Sequence, residues 1–285
     1  MIKPRLQDDA FLADVEEARN HPAALHVWWL GQSGFLVQWQ DRHLLLDPYL
    51  SDSLTRKYAA TDKPHVRMTE RVIAPERLDF IDVVTSSHNH TDHLDAETLR
   101  ALARMNPRLR LVCARANLPV AAERSGFEDD SIVDLDPEAE PVTARVRGFR
   151  ISAVPAAHER IERNHAGLQC FVGFVVEAGP WRLYHSGDTV LYPELEARLR
   201  PYRVHLALLP INGRAPERRV AGNLWGREAA RLAQDIGAEL AVPCHFDMFE
   251  FNTASPEEFV TRCDALGQPC RVLQAGERLT LGDQR

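Results

Sequence analysis

Residues 86–95 read SSHNHTDHLD. Three histidines, His88, His90 and His93, fall within six positions, and Asp92 stands between the second and the third. The chain carries 12 histidines in 285 residues. At that density six positions would hold about 0.25 of them. The stretch follows FIDVVTS (80–86), a near-continuous apolar run that reads as a buried strand. It precedes AETLRALARM (96–105), whose pattern is helical and for which Asp95 is the expected N-cap. A strand, then a polar cluster, then a helix puts the cluster at the C-terminal edge of a strand, where sites collect in α/β folds.

Neutral imidazole and carboxylate are good ligands for borderline divalent cations. His88 and His90 are two apart on an extended backbone and point the same way, so they can grip one ion together. Asp92 and His93 are turned by the following chain and can reach a second.

Working outward, the pattern predicts strands at 25–30, 34–39 and 43–47, spaced closely enough to pair antiparallel. Residues 51–79 are polar and proline-punctuated and read as a long loop with one short helix, a length more often functional than idle. Further strands are expected at 109–114, near 131–135, 142–147, 149–154, 170–177 and 181–185, and at 204–210, 239–244, 271–274 and 278–281. Helices are expected at 117–125 behind Asn117, near 193–199, at 224–236 behind Asn223, and at 256–266. The last of these starts with a capping-box spacing, Ser255 to Glu258. Residues 1–20 read as an amphipathic helix with Phe11, Leu12 and Val15 on one face. The order is β-rich, βα, β-rich, βα. It implies an α/β sandwich of two similar halves, roughly 25–140 and 141–285, with sheets inside and helices outside, in a single domain 1–285.

Composition narrows the function classes. Lys plus Arg total 34 against 41 Asp plus Glu, a net charge of −7. Such a chain lacks the positive field of a nucleic-acid binder. Nothing approaches the ~20 apolar residues of a membrane span, and MIKPRLQDDAFLADVEEARN contains no apolar signal core. Five cysteines, an odd number without a CxxC pair, read as reduced thiols. The expectation is a cytoplasmic protein acting on a small molecule, with no nucleic-acid or membrane partner and compatible with a homo-oligomer.

The spacing H-x-H-x-D-H resembles the signature of the metallo-β-lactamase superfamily of hydrolases. Four further motifs of that family occur in its order: Asp47 in LLLDPYL, His158 in VPAAHE, Asp188 in YHSGDT and His245 in AVPCHFD. The resemblance runs from Trp28 to the C-terminus and implies an αββα sandwich with mixed, mostly antiparallel sheets and two metals at one edge. Carried over residue by residue, it implies that His88, His90 and His158 hold the first metal and that Asp92, His93 and His245 hold the second. Asp188 would bridge the two metals, and Asp47 would orient a ligand imidazole from behind. Among the other histidines, His185 reads as buried support and His165 as part of a solvated loop, while His21, His26, His43, His65 and His205 carry no ligand spacing.

Within the superfamily the chain is similar to the UlaG-like, or L-ascorbate 6-phosphate lactonase-like, branch. WLGQSGFLV (29–37), LLLDPYLSDS (44–53), LYHSGDT (183–189) and VPCHFDMFEFN (242–252) carry that likeness. The chain is shorter than that lactonase and departs from it in LLPINGR (208–214), on the substrate side. The resemblance implies two divalent ions, manganese or zinc with iron also fitting. A hydroxide bridging them would attack a lactone or ester of a small polar metabolite, phosphorylated or not. Asp92 and Asp188 are the candidate catalytic carboxylates. A phosphodiesterase acting on a cyclic phosphate or phospholipid is the alternative, and a non-catalytic metal-binding protein is the second. Candidate substrate anchors are Lys57 and Arg67 in the long loop, and Asn212 and Arg214 in LLPINGR.

Overall fold

Strands buried on both faces need apolar side chains at nearly every position, and that is the composition of LHVWWLG, HLLL, RLVCA and LALLP. In the computed structural model, which describes residues 1–140 and 142–282, these segments build two mixed sheets. In the first sheet Leu25–Gly31, Gly34–Trp39 and Arg42–Leu46 form an antiparallel meander. Val83–Ser86, Arg110–Ala114 and Ile132–Leu135 continue it in parallel. The last strand, Arg278–Leu281, closes the opposite edge against Leu25–Trp28. In the second sheet Thr143–Val146, Phe149–Pro155, Val172–Ala178 and Trp181–His185 run antiparallel. Leu206–Pro210 and Leu240–Cys244 are added to it in parallel. Among the described residues, six strand pairings are antiparallel and five parallel. One apolar core runs through both sheets and includes Leu36, Leu45, Val84, Phe174 and Leu208.

The helices cover the outer faces with one apolar stripe each. In Ala96–Met105, Leu99 and Leu102 are buried, each contributing about 2 kcal/mol. Asp95 caps this helix by accepting from the Thr98 N–H at 3.1 Å. Leu118–Ser125 and Glu257–Leu266 stop at Gly126 and Gly267, both left-handed. The N-terminal helix spans Asp8–Ala18 and buries Phe11 and Val15. The 51–79 stretch contains one short α-helix, Ser53–Tyr58, and a 3₁₀ turn at Pro75–Arg77. Among the described residues, no helix is long and apolar enough to cross a membrane.

Three local expectations are corrected. The helix predicted over 224–236 is Gly226–Asp235, capped by Trp225, whose N–H donates to Glu228 Oε2 at 2.9 Å. Asn223 is drawn away instead to the Asn212 side chain. The Ser255 capping box does not form, because Glu258 turns to Arg227 and leaves Ser255 Oγ to accept from Glu257 alone. Residues 271–274 are not a strand, since the Gln274 N–H is taken by Glu277 in a turn.

His43, on the third strand, is buried edge-on against Phe80 with Nε2 unpartnered. Burial pushes its pKa from 6.5 down to about 4. The unfolded chain therefore binds a proton that the folded chain refuses. Stability from this group is present above pH ~6.5 and is lost as pH falls toward 4, by about 3 kcal/mol. We expect His43→Leu to flatten the acid limb of stability when urea midpoints are compared at pH 7 and pH 4.5. A limb of unchanged slope would contradict this account.

Candidate metal centre

Five strand ends meet at one edge of the sandwich. Arg42–Leu46 delivers Asp47, Val83–Ser86 runs into the 87–95 turn, and Phe149–Pro155 leads to His158. Trp181–His185 leads to Asp188, and Leu240–Cys244 ends at His245. The backbone here is held in rarely populated conformations: φ is +37° at Asp47, +61° at His245 and +57° at Gly187. Gly187 has a steric reason as well. A Cβ there would lie 2.6 Å from Ser87, so only glycine lets the two sheets' turns approach this closely.

The side chains converge in two groups. His88, His90, His158 and Asp188 form one, and Asp92, His93 and His245 form the other, each with ligand atoms within 4.8 Å of one another. Asp188 touches both. Its Oδ2 is 3.6 Å from His158 Nε2, 4.0 Å from His88 Nε2 and 3.4 Å from His245 Nε2, and its Oδ1 is 3.3 Å from His93 Nε2. The outward ring nitrogens of His93 and His158 are anchored, while His245 Nδ1 is buried without a hydrogen-bond partner among the described residues. His93 Nδ1 donates to Asp47 Oδ2 at 2.8 Å, and His158 Nδ1 donates to the Gly222 carbonyl at 2.9 Å. Each such bond leaves Nε2 as the lone-pair nitrogen aimed inward.

These residues fit a divalent cation on their own chemistry. His88 Nε2, His93 Nε2 and Asp188 Oδ1 are buried without a hydrogen-bond partner, a costly arrangement for polar atoms unless an ion uses them. The electrostatics agree. Burial, then His93 and His90, push the His88 pKa well below the usual range. Burial also opposes charge on Asp92 and Asp188, yet the facing imidazoles His93 and His245 hold both carboxyls below their ordinary value. Conversely, burial works against protonated His93 and His245, but Asp188 and Asp92 raise both, His245 to about 9. The cluster carries negative charge that calls for protons or a cation.

Above the cluster lies a cavity of about 410 Å³. Leu54, Tyr58, Phe249 and Phe251 give it an apolar side, and Asn89, Thr91 and Asn252 a polar one. Lys57 lines it, as does Arg124 from the Leu118–Ser125 helix.

The other three proposed anchors do not line this cavity. Arg67 bonds to Asp52 at 2.7 Å, to the Ser51 carbonyl and to the Thr69 carbonyl, and lies over Tyr49. It clips the long loop in place. Arg214 forms a two-pronged pair with Glu228, both bonds 2.7 Å. Asn212 is fully buried and donates to Asn252 Oδ1 at 3.0 Å, so it supports a wall residue from behind. His185 is buried with Nε2 donating to the Ser33 carbonyl, and His165 is exposed. Ser186 and Cys244 are turn and strand residues, buried, with no role in either donor group.

Sequence reasoning assigns no role to Gln32, Arg124 and Asn252, and to His65 none beyond its lack of ligand spacing. Gln32 Nε2 donates to Asp92 Oδ2 at 2.8 Å and lies 3.2 Å from His245 Nε2. Its position between glycines in LGQSG was the available signal. Arg124 had none, because a cation on a helix surface is ordinary.

Residues 42–246 match the Beta-lactamase superfamily domain family. A curated relative from Aeropyrum pernix, named a metal-dependent hydrolase, is 26% identical over 260 residues, covering 87% of this chain and 94% of its own. Another of that name from Methanopyrus kandleri is 28% identical over 259 residues, covering 89% and 98%. Among solved structures, a metallo hydrolase from Ignicoccus hospitalis superposes with a TM-score of 0.66 at 21% identity, over 92% of this chain and 100% of the other. With most of its length matched, and the donor groups lying at one edge of two mixed sheets, this chain belongs to the β-lactamase superfamily domain family.

Proposed function

We propose that this metal-dependent hydrolase opens a lactone or ester of a small anionic metabolite with two divalent ions, manganese or zinc, iron also fitting. In this reading His88, His90, His158 and Asp188 hold one ion, and Asp92, His93 and His245 hold the other. Asp188 lies between them, and Asp47 keeps His93 in the tautomer that presents Nε2. When bound, the ions supply Lewis-acid polarisation and bring the pKa of water toward neutrality. Asp92 and Asp188 both line the cavity. They are the carboxylates able to take up the proton lost by attacking water and return it to the leaving oxygen. The single observation carrying the reading is the placement of the inward Nε2 atoms and Asp188 at the base of a cavity sized for a small molecule.

Lys57 and Arg124 support an anionic substrate, since they are cations on the walls of an otherwise acidic site. Lys57→Ala and Arg124→Ala are each expected to raise KM about tenfold for an anionic ester and to leave a neutral ester of the same size nearly unchanged. Equal effects on both esters would remove the charge argument. The function itself is tested with manganese- and zinc-loaded protein on sugar lactones, carboxylic esters, cyclic nucleotides and bis-nitrophenyl phosphate. Lactone or ester turnover alone supports the proposal. Phosphodiester turnover alone transfers it to the phosphodiesterase reading, and metal binding without any turnover to a non-catalytic protein.

A further inference from the structure

One histidine in the cavity lies outside both donor groups. His65 comes from the long 51–79 loop and lines the same cavity. Its ring is clamped. Tyr58 stacks on it at 4.1 Å between centroids and 16°, and Phe249 and Phe251 meet it edge-to-face at 5.2 and 4.5 Å. Three aromatic contacts are more than an idle loop residue needs, and they hold the imidazole in one orientation.

The tautomer follows from one bond. His65 Nδ1 lies 3.1 Å from the Lys63 carbonyl oxygen. A carbonyl can only accept, so Nδ1 carries the hydrogen and Nε2 carries the lone pair. Burial keeps the ring's pKa below the usual histidine range, so it is neutral at pH 7. Nε2 bonds to no protein group among the described residues and is not sealed in the interior. His65 lines this cavity and also a surface pocket beside Pro64 and Val66. Lys57 and Arg124 can only donate, and His65 joins Asn89, Thr91 and Asn252 as an acceptor on the wall, the one whose ring three aromatic contacts hold in place.

We infer that His65 is a specificity-determining residue whose Nε2 accepts a hydrogen bond from an O–H or N–H group of the substrate, which makes the substrate class a small anion bearing a hydroxyl or amide donor. This rests on the reading of the cavity as the hydrolytic site. An acceptor held rigidly on a buried ring discriminates against the analogue without the donor, because that analogue leaves it unpaired.

The test is calorimetric titration of the metal-loaded protein with pentanoate and with 3-, 4- and 5-hydroxypentanoate. In the natural protein at least one hydroxy isomer is expected to bind about tenfold more tightly than pentanoate. His65→Phe, which keeps the stacking, should abolish that preference. His65→Gln, which places an amide oxygen near the Nε2 position, should retain most of it. Metal content and thermal midpoint serve as folding controls. Equal binding of all four acids, or a preference surviving in His65→Phe, overturns the assignment of His65 and leaves the hydrolytic reading standing. Failure of every acid to bind also overturns the assignment of His65, while the hydrolytic reading is decided separately by the turnover panel.

Discussion

Replacing Asp188 with alanine is expected to lower hydrolysis by about 10³-fold or more and to leave the protein with at most one tightly held metal. Asp188 is the carboxylate that reaches both donor groups, within 3.3 to 4.0 Å of four imidazole Nε2 atoms. Its carboxylate is the charge that makes those nitrogens compatible with each other in a buried place. Without it, His93 and His245 retain only Asp92 and Asp47 as counter-charges, and His88 and His158 lose theirs. Asp188→Asn separates charge from shape: it preserves volume, so a metal loss as large as alanine's assigns the effect to charge. Elemental analysis alongside turnover is the measurement. Two metals retained at full affinity in Asp188→Ala would refute the bridging role.

The second large effect is expected at Asp47. This carboxylate is fully buried and is a hub of donors. Thr85 Oγ1 donates to Oδ1 at 2.8 Å, the Ser87 N–H donates to Oδ1 at 3.1 Å, and His93 Nδ1 donates to Oδ2 at 2.8 Å. The Ser87 hydroxyl donates to Oδ2 as well. Alanine there strands all of these groups without water, at a cost of about 3–5 kcal/mol. It also frees the His93 ring to take the wrong tautomer, which weakens metal binding by about 10–100-fold. Both parts are measurable, the first as a lowered urea midpoint and the second by titration against a chromophoric chelator. A destabilised protein with unchanged metal affinity would mean that Asp47 serves the fold and not the ions.

The fold was legible because burial writes itself into composition. RLVCA and LALLP are apolar at nearly every position since they are covered on both faces, VVTS is buried throughout, and such runs ending in polar clusters mark the site edge. Helix starts were less legible. Asn223 has the right chemistry for a cap, but Gly226 must lie against Phe259, where a Cβ would be 2.7 Å from its backbone nitrogen, and the helix begins where that packing allows. Tertiary contact outweighs a capping preference of about 1 kcal/mol.

The site divides along the same line. His88, His90, Asp92 and His93 are local, and their spacing on one strand end and turn states what they can do together. His158, Asp188 and His245 were reached through the resemblance, and their meeting with the cluster is an outcome of five strand ends sharing one edge. On the substrate side the sequence pointed to one residue of the cavity wall, Lys57, and missed the rest. Arg67 and Arg214 have the charge an anion would want, but each is already spent on carboxylates and carbonyls brought from elsewhere in the chain. Arg124 and His65, which line the cavity, looked like surface and loop residues.

By itself, then, the sequence determined the chemistry of the centre and the layered architecture around it. Ligand type, strand burial and the order of motifs are properties of residues and their near neighbours. Only the tertiary structure decided which cations face the cavity and which histidine offers it an acceptor. Whether a charge is free depends on partners far away along the chain, and no local spacing records them.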